Sequence, residues 1–567
     1  MRVGLHVGDV NDVGGDILGD AVNVASRIEP LAEPGGICVS EPAYLHLRDQ
    51  RALRWECLGP KSLKGLASPL VVYRFVLPWS MEASPTTGTQ PPRLAVLPLS
   101  NISPDPQDEY FAQGLTEELI SVLSQIRGLR VISRTSVTSY KASPKTVGQV
   151  GRELGASSVL EGSVRKAGPR LRITMQLIDV ATDEHRWSQS FDRNLDDVFA
   201  IQADVAQQTA HALRVELVES ERQALLERPT ASMDAYQAYL QGVDRARRNL
   251  DRGPVADDEI IGYFEKAIRL DPEFAAPYSH LGNYLIAVMG QSRTSKETIP
   301  KARTLIGRAL ELSPSSSDAH TAMGNLAMQG DLDWSLAEAE LTKAIQLNPS
   351  SSYAHSWFGF LLCTLQRWGD AKGRLRAALE VDPLWLQPQL TLADVEWFSG
   401  SPTGAIGMLE NLSRSYPEST SVWARLVFLY LGQRRFEEMD RASYHVLTVD
   451  ASRGRHIRAI VQAWLGDPEP LRAWLQAWEA GSVKEYVSLP IAAEHYGLLG
   501  QVDHAFELLE REETEGDRTL WFHYLSPGFD PVRNDPRFIA ILRRANLPLT
   551  LDRPLQSFPL TARDPRT

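Results

Sequence analysis

The sequence predicts a multidomain chain in which two α/β segments precede a long all-α superhelix. Three observations carry this. Short β-type runs broken by Gly-rich turns fill residues 1–77, strand and helix patterns alternate over 93–220, and from residue 234 a helical repeat of about 34 residues replaces them. At 567 residues the chain is too long for one core. Its 43% hydrophobic and 23% charged residues are those of folded, soluble protein.

In the first segment the β runs are 2–10 (RVGLHVGDV), 36–40 (GICVS) and 70–77 (LVVYRFVL), with a helix expected over Ala21–Ala32. Residues 78–92 are rich in Pro, Ser, Thr and Gly and read as a linker. The second segment opens with a β run at 93–100. A helix follows over Asp108–Ile126, with Phe111, Leu115, Leu119, Ile120 and Leu123 at helical spacing. Further strands are expected at 129–133, 158–164 and 172–180, with a short helix over Val147–Leu154 and a last one over Asp196–Leu217. Gly168 supplies the tight turn between the last two strands.

In the third region, 234–545, Pro272, Pro314, Pro349, Pro383 and Pro417 recur at intervals of 42, 35, 34 and 34 residues. Each is preceded eight residues earlier by a large apolar residue: Phe264, Ile306, Leu341, Leu375 or Leu409. Alanines stand five residues before the first four prolines, and Gly282, Gly324 and Gly359 ten residues after the first three. Two helices per unit can cross closely only where small side chains meet, and proline ends the second helix. The longest interval reads as an insertion near 290–297. After Pro417 the register weakens, although 496–512 resembles one more unit and 530–538 a terminal cap. Residues 546–567 form a tail.

Composition excludes several functions. The net charge is −12 with no basic stripe, which argues against nucleic acid as partner. Cys38, Cys57 and Cys363 lack metal or disulfide spacing and read as small buried hydrophobes. No apolar run approaches the roughly 18 to 20 residues of a membrane span, nor is there a signal peptide, so a cytoplasmic location is expected. His185 and Trp187 read as strand-end packing.

The repeat pattern of Gly, Ala, large apolar, Ala and Pro resembles the tetratricopeptide repeat, which implies a groove for a protein or peptide partner. The second segment, through 94–103 (LAVLPLSNIS), 109–124, 160–168 (LEGSVRKAG) and 186–193, resembles the TolB N-terminal-like domain. The first, through 3–10 (VGLHVGDV), 15–27 (GDILGDAVNVASR), 33–41 and 58–65, is similar to the C-terminal part of class III adenylate and guanylate cyclase catalytic domains.

That last resemblance implies ATP, or GTP, as substrate, a homodimer, and Mg²⁺ or Mn²⁺ as cofactor. It assigns Asp16 to the purine, Asn23 and Arg27 to the ribose and to the triphosphate in the transition state, and Lys64 to phosphate. An Arg guanidinium can hold charge that builds as the ribose 3′ oxygen attacks the α-phosphorus, and an Asn amide can orient the ribose. The spacing of Asn23 and Arg27, four residues, puts them on one helix face. The family's two metal-holding aspartates fall upstream of Met1, and Asp9, Asp12 and Asp20 read as turn or surface residues, so no metal ligand is assigned. A reading frame begun at an internal methionine is the expected reason, and this chain alone is expected to be inactive. The alternative is a non-catalytic tetratricopeptide scaffold.

Overall fold

The computed structural model describes residues 2–8, 10–13, 16–32, 37–47, 55–61, 70–75, 91–138, 140–141, 145–251, 257–288, 295–483, 487–515 and 519–551. The chain divides into two compact units, 1–90 and 91–567.

In the first unit β1 (Val3–Leu5), β4 (Ile37–Ser40), β6 (Leu70–Phe75) and β5 (Trp55–Lys61) form a sheet in the order β1-β4-β6-β5. β1 runs parallel to β4 and the other pairs are antiparallel. A hairpin, β2 (Asn11–Val13) and β3 (Asp16–Leu18), leads into the helix Asp20–Ile28. That helix is shorter than expected, because Pro30 directs the chain into a 3-10 turn over Glu29–Leu31. It buries Ala21, Val24 and Ile28, and Val24 and Ile28 pack with Ala32, Cys38 and Val72. β1 accommodates the helix because residue 4 is glycine: a Cβ there would lie 2.3 Å from the Ala25 carbonyl oxygen and 2.5 Å from the Glu29 nitrogen.

The second unit begins with a mixed sheet of β7 (Arg93–Val96), β8 (Ser100–Asn101), β9 (Arg130–Ile132), β10 (Ser158–Ala167), β11 (Arg170–Asp179) and β12 (His185–Asn194). The order is β12-β11-β10-β7-β9, with β8 beside β10. Parallel β7, β9 and β10 are joined by helices, including Glu109–Ser124. The long β10–β11 ladder turns at Gly168, whose φ of 57° is the left-handed conformation that glycine adopts without strain. The alternation of elements expected over 93–220 is present.

Among the described residues eight helix pairs follow, from Met233–Asp251 with Asp258–Leu270 to Leu489–Leu498 with Val502–Glu515. The second helices end at Leu270, Leu312, Leu347, Val381 and Ser415, each two residues before one of the five prolines. Asp271 and Asn348, the residues between, are extended, and Asp382 and Tyr416 have likewise left the helical region, as the following proline demands. Glycines of first helices meet the large apolar residues of second helices. A Cβ on Gly282 would stand 2.5 Å from Ile306 Cγ1, and one on Gly324 2.7 Å from Leu341 Cγ. Gly242 stands in the same relation to Phe264 at 2.9 Å, one unit earlier than the sequence pattern was read.

The α/β block and the repeats share one core, which runs from Leu94 to Leu326. The turn after Val381 covers the edge of the sheet beyond β9. Ser133 N–H donates to the Val381 carbonyl at 2.9 Å, Leu384 N–H to Ser136 Oγ at 2.9 Å, and Ser136 Oγ to the buried Asp382 carboxylate. An edge strand left open would be a site for unwanted pairing. Here the repeats close it.

Candidate functional site: one face of helix Asp20–Ile28

The helix owes its direction to Gly19, whose backbone (φ 147°) turns the chain out of β3, and its first amides, Val22 and Asn23, bond the Gly19 carbonyl. Its apolar stripe faces the sheet. Asn23 and Arg27, one turn apart, therefore stand off the core side: Asn23 is exposed and Arg27 half-buried. Arg27 makes no ion pair among the described residues. Asp16 opens β3 just before the helix. Lys64 lies outside the described residues, as do Asp9 and residues 78–90 of the linker.

Behind the helix, His6 and Ser40 join the ends of β1 and β4 through a 2.8 Å hydrogen bond between His6 Nδ1 and Ser40 Oγ. Burial holds the His6 imidazole below its ordinary pKa, and Ser40 is inaccessible. The pair is therefore structural. Tyr44 stacks on Tyr73 at 3.8 Å, fixing the helix Glu41–Leu47 to β6. Among the described residues no group of three or more His, Cys, Asp or Glu is arranged to hold a metal ion.

Residues 1–77 match the family model of the adenylate and guanylate cyclase catalytic domain. The helix with Asn23 and Arg27 lies inside the matched segment. A protein of Rhizobium meliloti (strain 1021) described as "Putative adenylate cyclase 3" is 35% identical over 289 residues, or 50% of this chain. The chain spans about half of that relative, 49% of its length. Among solved structures, Pseudomonas aeruginosa pilF aligns with 37% of this chain and 92% of its own at 20% identity, with a TM-score of 0.30. A tetratricopeptide repeat protein of Parabacteroides merdae aligns with 46% and 98% at 16% identity, with a TM-score of 0.35. No helix among the described residues is long and apolar enough to cross a membrane.

The repeats hold a second set of polar groups on their first helices. Asn325 donates to Asn283 Oδ1 at 3.2 Å, and Asn283 to Tyr353 Oη at 3.2 Å, linking three successive pairs. A further periodic feature escaped the sequence pattern. Six residues after each proline stands a donor that bonds the proline carbonyl: Tyr278 at 3.1 Å, His320 at 3.0 Å, His355 at 3.1 Å, Gln389 at 3.2 Å and Trp423 at 2.8 Å. The residue types differ, so only a search for side-chain donors as a class would have found them.

Proposed function

We propose that residues 1–77 supply the ribose and triphosphate side of a nucleotide-cyclising site, in a signalling protein whose repeats engage a protein partner. The observation that supports it is the family match coinciding with two ligand-type side chains, Asn23 and Arg27, on the solvent side of a helix fixed by its apolar stripe. Arg27 would hold the charge that grows on the triphosphate as the ribose 3′ oxygen bonds to the α-phosphorus and pyrophosphate departs. Asn23 would orient the ribose by its amide, Asp16 accept from the adenine amino group, and Lys64 add a charge to the phosphates. Divalent ions, implied by the family, would activate the 3′ oxygen. The roles of Asn23 and Arg27 are binding and orientation, and do not depend on the ions' exact position.

A fluorescent ATP analogue titrated into the chain tests this. Binding should weaken about 10- to 100-fold in Arg27→Ala, the worth of a charge-assisted hydrogen bond. Equal affinity in the variant would remove Arg27 from the site. With ATP and Mn²⁺ the 567-residue chain alone is expected to make no cyclic AMP, because its resemblance is to the C-terminal part of the catalytic domain and the family's two metal aspartates belong to the N-terminal part. Product formation abolished by Arg27→Ala would overturn that. The scaffold reading is favoured by one observation, the continuous core that extends through the repeats from Ala327 to Leu547.

A further inference from the structure

The end of the chain does more than cover the last repeat. Residues 519–551 form a short helix Leu520–His523, a 3-10 segment Pro527–Val532 and a helix Pro536–Arg544. One side of the segment is fixed to the final helix pair. Ser526 Oγ donates to Glu494 Oε1 at 2.6 Å, Leu520 N–H to Glu512 Oε1 at 2.7 Å, and Arg537 to Asp503 at 2.8 Å. A terminal cap needs no more than this.

The other side reaches back to helices more than 150 residues earlier. Trp521 packs edge-on against Phe360, ring centres 5.6 Å apart, and beside Trp334 at 6.3 Å. Tyr524 is fully buried and its hydroxyl donates to the Thr364 carbonyl. Trp334 Nε1 donates to the Ala545 carbonyl at 2.9 Å, and Gln366 Nε2 to that of Thr550 at 2.7 Å. Within the segment the buried pair Arg533–Asp530 (3.0 Å) and the bonds from Arg533 to the Tyr524 and Ser526 carbonyls, at 2.8 and 3.0 Å, hold this shape. Phe360 lies on the first helix of its pair, Ser352–Thr364, the helix that also carries Tyr353 of the asparagine network.

We propose that residues 519–551 are a tethered ligand of the repeats' own surface, seated on helices Trp334–Leu347 and Ser352–Thr364. That surface takes a peptide bearing aromatic side chains, one with a hydroxyl that reaches a backbone carbonyl. A partner using it competes with a segment already attached at high effective concentration. The inference rests on reading the repeats as a partner surface, and is independent of nucleotide chemistry in residues 1–77.

A labelled peptide of residues 519–535, titrated into the full chain by fluorescence anisotropy, is the test. The unmodified chain, its surface occupied, should bind weakly. Tyr524→Phe, which keeps the ring and removes the hydroxyl, and Arg533→Gln, which breaks the pair that holds the segment's shape and leaves helices Trp334–Leu347 and Ser352–Thr364 unaltered, should each bind the peptide at least tenfold more tightly, with helicity unchanged by circular dichroism. A peptide with Trp521→Ala should fail to bind either variant. The proposal is overturned if both folded variants bind no better than the unmodified chain, or if the altered peptide binds as well. Loss of ATP-analogue binding by Arg27→Ala would stand or fall separately.

Discussion

Gly359 and Leu375 are in van der Waals contact across a helix pair so tightly that a Cβ on residue 359 would stand 2.6 Å from Leu375 Cγ. Both residues belong to the repeat signature, the glycine ten residues after one proline and the leucine eight before the next. Gly359→Ala should therefore destabilise the second unit by about 1–3 kcal/mol, the usual penalty of overpacking, despite alanine's better helix propensity. Urea denaturation measures it. If the variant gains stability, the pair can separate and glycine is not what sets the crossing.

Such contacts explain why the repeats were legible and other features were not. Gly282, Gly324, Gly359 and their partners recur because every unit solves one packing problem, and recurrence is visible in a single sequence. The contact of Trp521 with Phe360 occurs once, between residues far apart, and no local period announces it. The same holds for Ser136 with Asp382, which joins the α/β block to the repeats. In the first unit the four-residue spacing of Asn23 and Arg27 foretold a shared face, whereas the strand β5 and the helix Glu41–Leu47 carried no clear period.

The repeat interval of 35 residues between Pro314 and Pro349 has one residue more than the next, and the structure locates it. Ala327–Asp331 forms a π-helical turn, after which Leu332 is left-handed at φ 56°. Gly324 consequently meets Leu341 seventeen residues later, where Gly359 meets Leu375 after sixteen. Deleting Gln329, half-buried between the buried Met328 and Gly330, should restore the common spacing and straighten the turn, at a cost no greater than the ~1 kcal/mol of an average point change. A loss of several kcal/mol in urea titration would mean that the π turn itself supports the fold.

The last repeats should respond to pH in both directions. His456 and His495 share a 2.8 Å hydrogen bond between their Nε2 atoms, and His456 stacks on Trp474 at 3.8 Å. Burial lowers His456 to about 3 from an ordinary 6.5, pushes His495 down as well, and holds His523 at about 4. A depressed histidine contributes stability above its unfolded pKa. That contribution is lost as pH falls below 6.5 and each buried ring must take a proton. Glu494, under the 526–533 segment, is raised by burial from 4.5 to about 7. The folded state keeps that proton more firmly, so its contribution is full below 4.5 and is lost as pH rises towards 7. The urea midpoint should fall on the acid side through the histidines, and Glu494→Gln should flatten the limb between 4.5 and 7. An acid limb unchanged by His456→Gln would show that the ring does not titrate with unfolding.

Gly4 and Arg27 separate what positions the candidate site from what binds in it. A side chain at residue 4 would strike the Ala25 carbonyl and the Glu29 amide, both backbone groups that cannot rotate away, so Gly4→Ala must displace the helix from β1. The first unit has a small core, and a displacement there should lower its stability by about 1–3 kcal/mol and weaken ATP-analogue binding with it. Arg27 is half-buried and makes no ion pair among the described residues, so Arg27→Ala should change stability by no more than about 0.5 kcal/mol. Binding loss without stability loss in Arg27→Ala, and both together in Gly4→Ala, is the pattern expected of a ligand residue carried on a helix held by a glycine contact. If the two variants lose stability and binding in equal proportion, Arg27 acts on the fold and the nucleotide must be held elsewhere.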